Sequence, residues 1–324
     1  MLKRTALYLL ALVLLTGAAT AKTVRISIAT GGTGGVYYPL GGGMAKVWSQ
    51  YVPGVEASAE VTGASVENVR LVVSGKAQVA LGTSGVVVTA YRGEGKFKKF
   101  GPQPILAIGA MYPNAWQFVT VAETGIRKVA DIQGKRVSTG APGSGTAVMT
   151  RAILKTLGYQ PGKDFKEFRL SFAEQVAALK DGTIDVGAWS VGLGPGSLID
   201  LSTTRKMVLV CLSPAEQKKI EASHPYYKPF TIPAGTYNGV DYDCPTVGTP
   251  NVLFVRADMD EDLVYQLTKA LFEHKAELEK IHPAAKTIGP EYVLKATLIP
   301  LHPGAIRYYQ EAGYRVPDAL KPKK

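Results

Sequence analysis

Seven glycines fall within sixteen consecutive residues near the start of the chain, in the segment IATGGTGGVYYPLGGG at residues 28–43. A strand-like run of β-branched residues precedes this segment, and a helix-like run follows it. Bare backbone at the tip of a strand suits three kinds of chemistry. It could form a cradle for phosphate groups, the oxyanion hole of a hydrolase, or a small-ligand site built from backbone N–H groups and hydroxyls.

The residues around the glycines argue against the first two kinds of site. A phosphate-binding loop needs Gly-Lys-Ser/Thr, which is missing here and in a second glycine-rich segment, GAPGSGT at residues 140–146. Tyr37 takes the place of the last glycine of a dinucleotide fingerprint, and Val86 takes the place of the second glycine in the hydrolase motif G-x-S-x-G. We therefore expect a protein that is not an enzyme and binds no nucleotide cofactor.

Metal sites are also not indicated by the sequence. The four histidines lie in the last third of the chain, outside the glycine loops, and none has metal-ligand spacing with another. Asp258, Asp260 and Asp262 resemble the start of a calcium loop, but Leu263 stands where its glycine belongs. Acidic residues at a helix N-terminus explain this run better, because the helix dipole favours them there. We expect no metal ion.

Small polar residues at strand ends and helix starts remain as the candidates for ligand binding. Together with bare N–H groups they suit a carboxylate held by neutral donors, and helix N-termini stabilise anions. Tyr37 and Trp189 could add aromatic walls, with core packing as the alternative, and the glycines could serve tight turns alone. The candidate residues are Thr33, Gly34, Gly35, Tyr37, Thr62, Thr83, Ser84, Gly143, Ser144, Gly145, Thr146, Trp189 and Ser190.

The chain repeats one plan twice. VRISIATGGTGG and KRVSTGAPGSGT are each a strand leading into a glycine loop and then a helix, the second capped by Ser144 and stopped by Gly158. Residues 65–84 and 171–190 each begin at a serine that could cap a helix, break at a glycine and end in a short strand. The repeat predicts two α/β lobes with a ligand cleft between them, because ligands bind at the carboxyl ends of parallel strands.

The ends of the chain and its composition indicate an exported protein. Lys3 and Arg4, a short apolar run and Ala19-Thr20-Ala21 form a secretory signal peptide, with cleavage expected near Ala21. The formal net charge of +11 is spread along the chain without aromatic-basic motifs, so we expect no nucleic-acid partner. We divide the chain into the signal peptide (1–21), lobe 1 (22–122), lobe 2 (123–246) and a return to lobe 1 with C-terminal helices (247–324).

The chain has two cysteines, Cys211 and Cys244. In an oxidising compartment such a pair is a candidate disulfide. Two separate buried thiols are the alternative, because Cys211 lies in the apolar run MVLVCL.

Several segments resemble one family of receptors. IATGGTGGVYYPLGGGMA looks like the opening signature of the TAXI solute receptors, the periplasmic binding proteins of one branch of TRAP transporters. The resemblance continues through VTGASVENVRLVVSGKAQVALGTS, ADIQGKRVSTGAPGSGT, LKDGTIDVGAW and IPAGTYNGVDYDCPTVG to LHPGAIRYYQEAG, and so covers nearly the whole chain after the signal peptide. The residues that match the family's ligand-contacting segments are Thr33, Gly34, Tyr37, Thr83, Ser84 and Gly143 to Thr146, and more loosely Trp189 and Ser190.

The resemblance implies a two-lobed type II periplasmic-binding-protein fold and a receptor that is not an enzyme. Such a receptor delivers a small carboxylate, such as glutamate, glutamine, a dicarboxylate or a 2-oxo acid, to a TRAP-type membrane permease. We expect a periplasmic monomer. A periplasmic sensor subunit with the same site and an exported enzyme on the same scaffold are the alternatives.

Overall fold

The computed structural model describes residues 23–323 as a mixed α/β structure built around one ten-stranded sheet. Its strands are β1 (Val24–Ala29), β2 (Val55–Glu60), β3 (Val79–Thr83), β4 (Ile105–Val121), β5 (Arg136–Ser138), β6 (Lys166–Phe168), β7 (Val186–Val191), β8 (Met207–Leu209), β9 (Lys228–Ile232) and β10 (Cys244–Arg256). Its α-helices are α1 (Tyr37–Tyr51), α2 (Ser65–Val73), α3 (Ser84–Arg92), α4 (Gly145–Leu157), α5 (Phe172–Lys180), α6 (Gly196–Thr204), α7 (Pro214–Ser223), α8 (Glu261–Glu273), α9 (Lys275–Ile281), α10 (Pro290–Ala296) and α11 (Pro303–Glu311). The predicted signal peptide lies outside the described residues.

The sheet has two parallel parts. Neighbouring strands follow the order β2-β1-β3-β10-β4-β7-β5-β6, with β8 added to β4 and β9 added to β10. Strand β1 is parallel to β2 and β3, and β5 is parallel to β6 and β7. The long strands β4 and β10 are antiparallel to their neighbours and join the two parts. We call the part with β1 to β3 the first half and the part with β5 to β7 the second half.

The halves meet where β4 and β10 change partners. Pro113 of β4 lies opposite Pro250 of β10, and the register between the strands shifts just after Pro250. From Ala115 onward β4 pairs with β7, and from Asn251 onward β10 pairs with β3. Proline has no N–H to donate to a ladder, so two facing prolines weaken the sheet locally. The ladder between the strands that connect the halves is therefore interrupted at this junction.

The repeated units fold as their local sequence predicts. Ser144 caps α4 by accepting a hydrogen bond of 3.0 Å from the N–H of Ala147. The same helix ends at Gly158, whose φ of +101° lies in the left-handed region that favours glycine. Ser171 and Glu174 form the predicted capping box at the start of α5. These caps place the first turns of the helices at the carboxyl edge of the sheet.

The expectation that Ser65 caps a helix is wrong. The N-cap of α2 is Ala64, without a side-chain hydrogen bond, so Ser65 does not cap the helix as expected. Its hydroxyl instead accepts a hydrogen bond of 3.1 Å from the N–H of Thr83, at the end of β3. This N–H is buried and needs an acceptor, which explains why the hydroxyl faces the strand.

The C-terminal part differs in detail from the expectation. The strand expected at residues 252–255 is the end of the longer β10. The helix expected from about residue 260 to 280 is split at His274 into α8 and α9, and the ring of His274 stacks on Tyr51. Asp260 caps α8 through the N–H of Leu263, as expected for an acidic residue at a helix start. The predicted lobe boundaries stay a prediction.

A disulfide and two apolar clusters hold these elements together. Cys211 and Cys244 are bonded, which confirms the disulfide alternative and ties the segment after β8 to the start of β10. One cluster of buried apolar residues lies within residues 116–247, in the second half. The larger cluster covers the first half and extends under α5 and α6. It includes Trp48, whose indole N–H donates to the carbonyl of Leu267, so that α8 packs on α1.

Candidate functional site

A cavity of about 100 Å³ lies between the two halves. One water molecule needs roughly 10–15 Å³ of such space, so the cavity has room for a small organic molecule. From the first half it is lined by Gly31, Gly32, Gly35, Val36, Tyr37, Thr62, Gly63, Ala64, Ser65 and Thr83. From β4 and the second half it is lined by Asn114, Ala141, Ser144, Gly145, Thr146, Ser171, Phe172, Ser190 and Val191.

Most of the candidate residues named from the sequence lie in the wall of this cavity. They are Gly35, Tyr37, Thr62, Thr83, Ser144, Gly145, Thr146 and Ser190. They come from both glycine-rich loops and from the strand ends of both halves, which are separated by more than one hundred residues in the sequence. The wall is therefore shared between the halves.

Five candidate residues lie elsewhere. Thr33 is exposed beside the cavity, and Ser84 is fully buried behind Thr83. Trp189 is also fully buried, where its indole N–H donates to Ser197 and its ring stacks on Phe172. The two remaining candidates, Gly34 and Gly143, are not part of the wall. The carbonyl of each accepts a backbone hydrogen bond from the opposite half.

Helix N-termini converge on the cavity from several directions. The first residues of four helices lie in its wall: Tyr37 of α1, Ser65 of α2, Gly145 of α4 and Phe172 of α5. A fifth helix, α3, begins directly after Thr83, which is also in the wall. Each helix N-terminus carries a partial positive charge of about half an elementary charge. Among the described wall residues none has an ionised side chain, although the exposed Glu67 carboxylate accepts from the N–H of the wall residue Gly63 at 2.9 Å. The helix termini therefore supply the positive potential of the site.

Four hydroxyls at the wall have a proton available for a ligand, and we call Ser65, Thr83, Thr146 and Ser190 the hydroxyl cluster. Ser65 Oγ accepts from the N–H of Thr83 at 3.1 Å, and Thr146 Oγ1 accepts from the N–H of Ser190 at 3.2 Å. An oxygen that accepts from a backbone N–H still has its own proton to donate. Ser190 Oγ is buried and has no hydrogen-bond partner among the described residues. An unpaired buried hydroxyl is costly, and the position of Ser190 in the wall makes it a candidate donor to a ligand.

Two other hydroxyls in the wall form hydrogen bonds within the protein and are not available to a ligand. Ser144 Oγ donates to the carbonyl of Ala141 at 2.7 Å and accepts from Ala147 as the cap of α4. Thr62 Oγ1 donates to Asn68 at 2.6 Å and accepts from the N–H of Ala64 at 3.0 Å. Both side chains therefore shape the loops of the wall, and neither has a free proton.

An asparagine pair that sequence reasoning missed lies at the junction of the halves. Asn114 and Asn251 exchange two amide hydrogen bonds of 2.8 and 2.7 Å, and Asn114 also donates to the carbonyl of Ser190. The Tyr37 hydroxyl donates to Asn251 Oδ1. Burial raises the pKa of Tyr37, so its phenol stays neutral. A repeated Pro-Asn dipeptide, at 113–114 and 250–251, is the sequence signal that could have identified the pair.

The halves also touch directly on both sides of the cavity. The N–H of Val66 donates to the carbonyl of Gly143 at 3.0 Å, and the N–H of Ser197 donates to the carbonyl of Gly34 at 3.2 Å. A Cβ on Gly34 would lie 3.2 Å from Ser197 Cβ. The glycines therefore permit close approach of the two halves.

Neither a metal-binding cluster nor a membrane-spanning helix is found within residues 23–323. Within this part of the chain, no three His, Cys, Asp or Glu side chains are grouped so that they could hold a metal ion. None of its helices combines the length and the apolar character that crossing a membrane requires.

Three solved structures are similar to this chain over most of its length. A protein from Bordetella bronchiseptica RB50 is 17% identical with a TM-score of 0.56, over 90% of this chain and 98% of that chain. The alkanesulfonate-binding protein from Xanthomonas axonopodis pv. citri, bound to MOPS, is 14% identical with a TM-score of 0.48, over 90% of this chain and 92% of that chain. An ancestral arginine-binding protein bound to arginine is 15% identical with a TM-score of 0.48, over 80% of this chain and 96% of that chain.

At these identities the similarity concerns the fold alone. The mixed α/β fold, with a cavity between two halves, resembles that of type II periplasmic binding proteins, as expected from the sequence. A family model described as NMT1-like matches residues 28–313, which include both glycine loops and every wall residue. The chain therefore belongs to the NMT1-like family.

Proposed function

We propose that this protein is an exported solute-binding protein that captures a small carboxylate between its two halves and delivers it to a TRAP-type membrane permease. The observation that carries the proposal is the cavity itself, which both halves line with helix N-termini and hydroxyl donors. None of the described residues that line it has an ionised side chain. Such a wall attracts an anion without a buried arginine or lysine.

Capture and release follow from the contacts between the halves. The backbone hydrogen bonds from Val66 to Gly143 and from Ser197 to Gly34 form only when the halves are together. These two bonds and the apolar contacts of α5 and α6 hold the halves together, and a ligand that contacts both halves would shift the equilibrium further towards closure. The junction at Pro113 and Pro250 is our proposed hinge, because the ladder is interrupted there. Opening at this hinge would release the solute to a permease.

Export, the TRAP-type permease and membership of the TAXI receptors remain parts of the proposal. The signal-peptide pattern at residues 1–21 supports export. The resemblance of the two glycine loops to TAXI receptors supports the permease partner. A sensor subunit would share the same site, and solute uptake by a strain that lacks this protein separates the two roles. Loss of carboxylate uptake supports delivery to a permease, whereas normal uptake with loss of a transcriptional response supports sensing.

A binding experiment tests the central part of the proposal. The protein without its signal peptide is screened by thermal shift against amino acids, dicarboxylates, 2-oxo acids and monocarboxylates, and hits are confirmed by calorimetry. A ligand at 100 times its dissociation constant should stabilise the fold by about 2.7 kcal/mol. The ligand is then incubated with the protein and followed by NMR. Stoichiometric binding without product supports a receptor, and catalytic conversion would support an enzyme instead.

A further inference from the structure

Hydrogen-bond acceptors that are free to contact a ligand are scarce in the wall of the cavity. This disfavours a ligand that carries a positively charged group. An ammonium group is a pure donor, and burying it without acceptors is expensive. A carboxylate side chain would serve best, but none of the described wall residues has one. Backbone carbonyls and hydroxyl oxygens are the acceptors that remain.

Several carbonyls of the wall already accept hydrogen bonds within the protein. The carbonyl of Ala141 accepts from Ser144 Oγ at 2.7 Å, and that of Ala64 accepts from the N–H of Asn68 at 2.9 Å. The carbonyl of Ser190 accepts from the Asn114 amide at 3.1 Å. A carbonyl oxygen has two lone pairs and could accept a second hydrogen bond. The bonds already formed fix its orientation, which restricts its ability to accept from a buried ammonium group.

The hydroxyl cluster supplies donors in one place. A Cβ built on Gly145 would lie 2.6 Å from both Ser65 Oγ and Thr83 Oγ1, so both hydroxyls lie close to the start of α4. Thr146 follows Gly145 in the chain, and its hydroxyl is bonded to the N–H of Ser190. The buried, unpartnered Ser190 Oγ completes the group. Four hydroxyls and the N-terminus of α4 thus lie in the same wall and offer donors to an anionic group.

We propose that the ligand is an organic anion without an ammonium group, so that the cavity accepts carboxylates and rejects the corresponding 2-amino acids. This inference rests on the proposed carboxylate-binding function and narrows it. The wall away from the hydroxyl cluster is uncharged, with Val36, Phe172 and Val191 among its members, and it suits the body of such an anion. Glutamate and glutamine are thereby disfavoured, whereas a 2-oxo acid, a dicarboxylate or a monocarboxylate remains compatible.

Matched pairs of compounds test the inference by calorimetry at neutral pH. The pairs are butanoate with 2-aminobutanoate, hexanoate with 2-aminohexanoate, and pentanedioate and 2-oxopentanedioate with glutamate. In every pair that binds, we expect the amino-free member to bind on the order of 100-fold more tightly or better, because the ammonium group would be buried without a partner. Equal or tighter binding of the 2-amino acid would overturn the inference and leave the proposed function intact. If no compound of these pairs or of the thermal-shift screen binds, the proposed function itself fails.

A second measurement separates charge from shape. The bound pairs are compared again at about pH 10, where the ammonium group of the free amino acid loses its proton to a large extent. We expect the gap in affinity to shrink at least several-fold, with the amino-free member unchanged. A gap that stays constant would mean that the amino group is excluded by its volume, and it would overturn the argument from charge.

Discussion

The backbone N–H of Val66 donates a hydrogen bond of 3.0 Å to the carbonyl oxygen of Gly143, and this bond joins the two halves of the molecule beside the cavity. Val66 lies in the first turn of α2, where an N–H has no acceptor within its own helix. Gly143 has a φ of +82°, a conformation that other residues rarely adopt. A helix start and a glycine loop that are distant in sequence thus complete each other when the halves close.

Gly145 lies in the wall of the cavity and should be sensitive to a small addition. In Gly145→Ala the new methyl group would lie 2.6 Å from Ser65 Oγ and from Thr83 Oγ1 across the cleft. Overpacking of this kind costs about 1–3 kcal/mol, so we expect carboxylate affinity to fall roughly 5- to 150-fold. We also expect the ligand-induced decrease in radius of gyration to be lost in small-angle scattering.

Gly42→Ala is the matched control for this substitution. Gly42 is exposed in the middle of α1, and a Cβ there would meet no atom within 4 Å. Alanine in a helix interior is more stable than glycine by about 0.5–1 kcal/mol. The control should therefore raise the melting temperature and leave affinity unchanged. Wild-type affinity and compaction in Gly145→Ala would show that closure does not bring these groups together.

Ser190 should contribute to affinity and not to the stability of the unliganded protein. Its hydroxyl is buried and unpartnered, so Ser190→Ala removes no hydrogen bond from the free protein. A hydrogen bond to a charged ligand group contributes about 1.5–3 kcal/mol. We therefore expect a roughly 10- to 150-fold loss of affinity in calorimetry, with an unchanged or higher free energy of unfolding.

Thr249 offers a control for the Ser190 variant. Its hydroxyl is also buried without a partner, but it is not in the cavity wall. Thr249→Val should leave affinity within twofold of wild type, which is about 0.4 kcal/mol. Equal losses of affinity in the two variants would indicate a general effect on the fold and would contradict a direct role for Ser190.

Ser144 and Thr33 should behave differently from each other. Ser144 caps α4, so Ser144→Ala should lower the free energy of unfolding by about 0.5–2 kcal/mol in urea titrations. Thr33 is exposed and outside the wall, so Thr33→Val should change neither stability nor affinity measurably. A strong loss of affinity in Thr33→Val would show that the loop closes further over the ligand than the wall residues indicate.

Carboxylate affinity should be independent of pH over a wide range. Tyr37 is the titratable side chain in the wall, and burial raises its pKa above the ordinary value, so it stays neutral at alkaline pH. We expect a constant dissociation constant between about pH 6 and about pH 9, and weaker binding only near pH 4, where the ligand itself becomes protonated. Calorimetry across this range checks the prediction. A tenfold change in the dissociation constant between about pH 6 and about pH 9 would point to an ionisable side chain at the ligand.

Local chemistry made much of this structure predictable. The cap of Ser144, the stop at Gly158 and the capping box of Ser171 depend on neighbouring residues, and the structure has all three. The strand ends at Thr83 and Ser190 follow from the same repeated pattern, because a short buried strand presents its last residues at the edge of the sheet. This is why many of the wall residues could be named from the sequence.

Contacts between distant segments were not predictable in this way. Gly34 and Gly143 were expected to approach a ligand, but they contact the opposite half. Trp189 was considered for an aromatic wall, but it is fully buried behind Phe172. The pairing of Asn114 depends on how two long strands align, which no local pattern reports. The partners of Gly34, Gly143 and Asn114 lie far away in the chain, so their identity emerges only from the packing of the halves. The partners of Trp189 lie near it in the chain, and its burial depends on how the elements of the second half pack together.

A crystal structure of the protein with a bound carboxylate from the matched pairs tests the central claim most directly. The account predicts one carboxylate group within hydrogen-bonding distance, about 2.6–3.0 Å, of hydroxyls from both halves, with Ser65 or Thr83 on one side and Thr146 or Ser190 on the other. It also predicts that the bond between Val66 and Gly143 is intact. A carboxylate held by one half alone, or bound outside the cavity, would contradict the account.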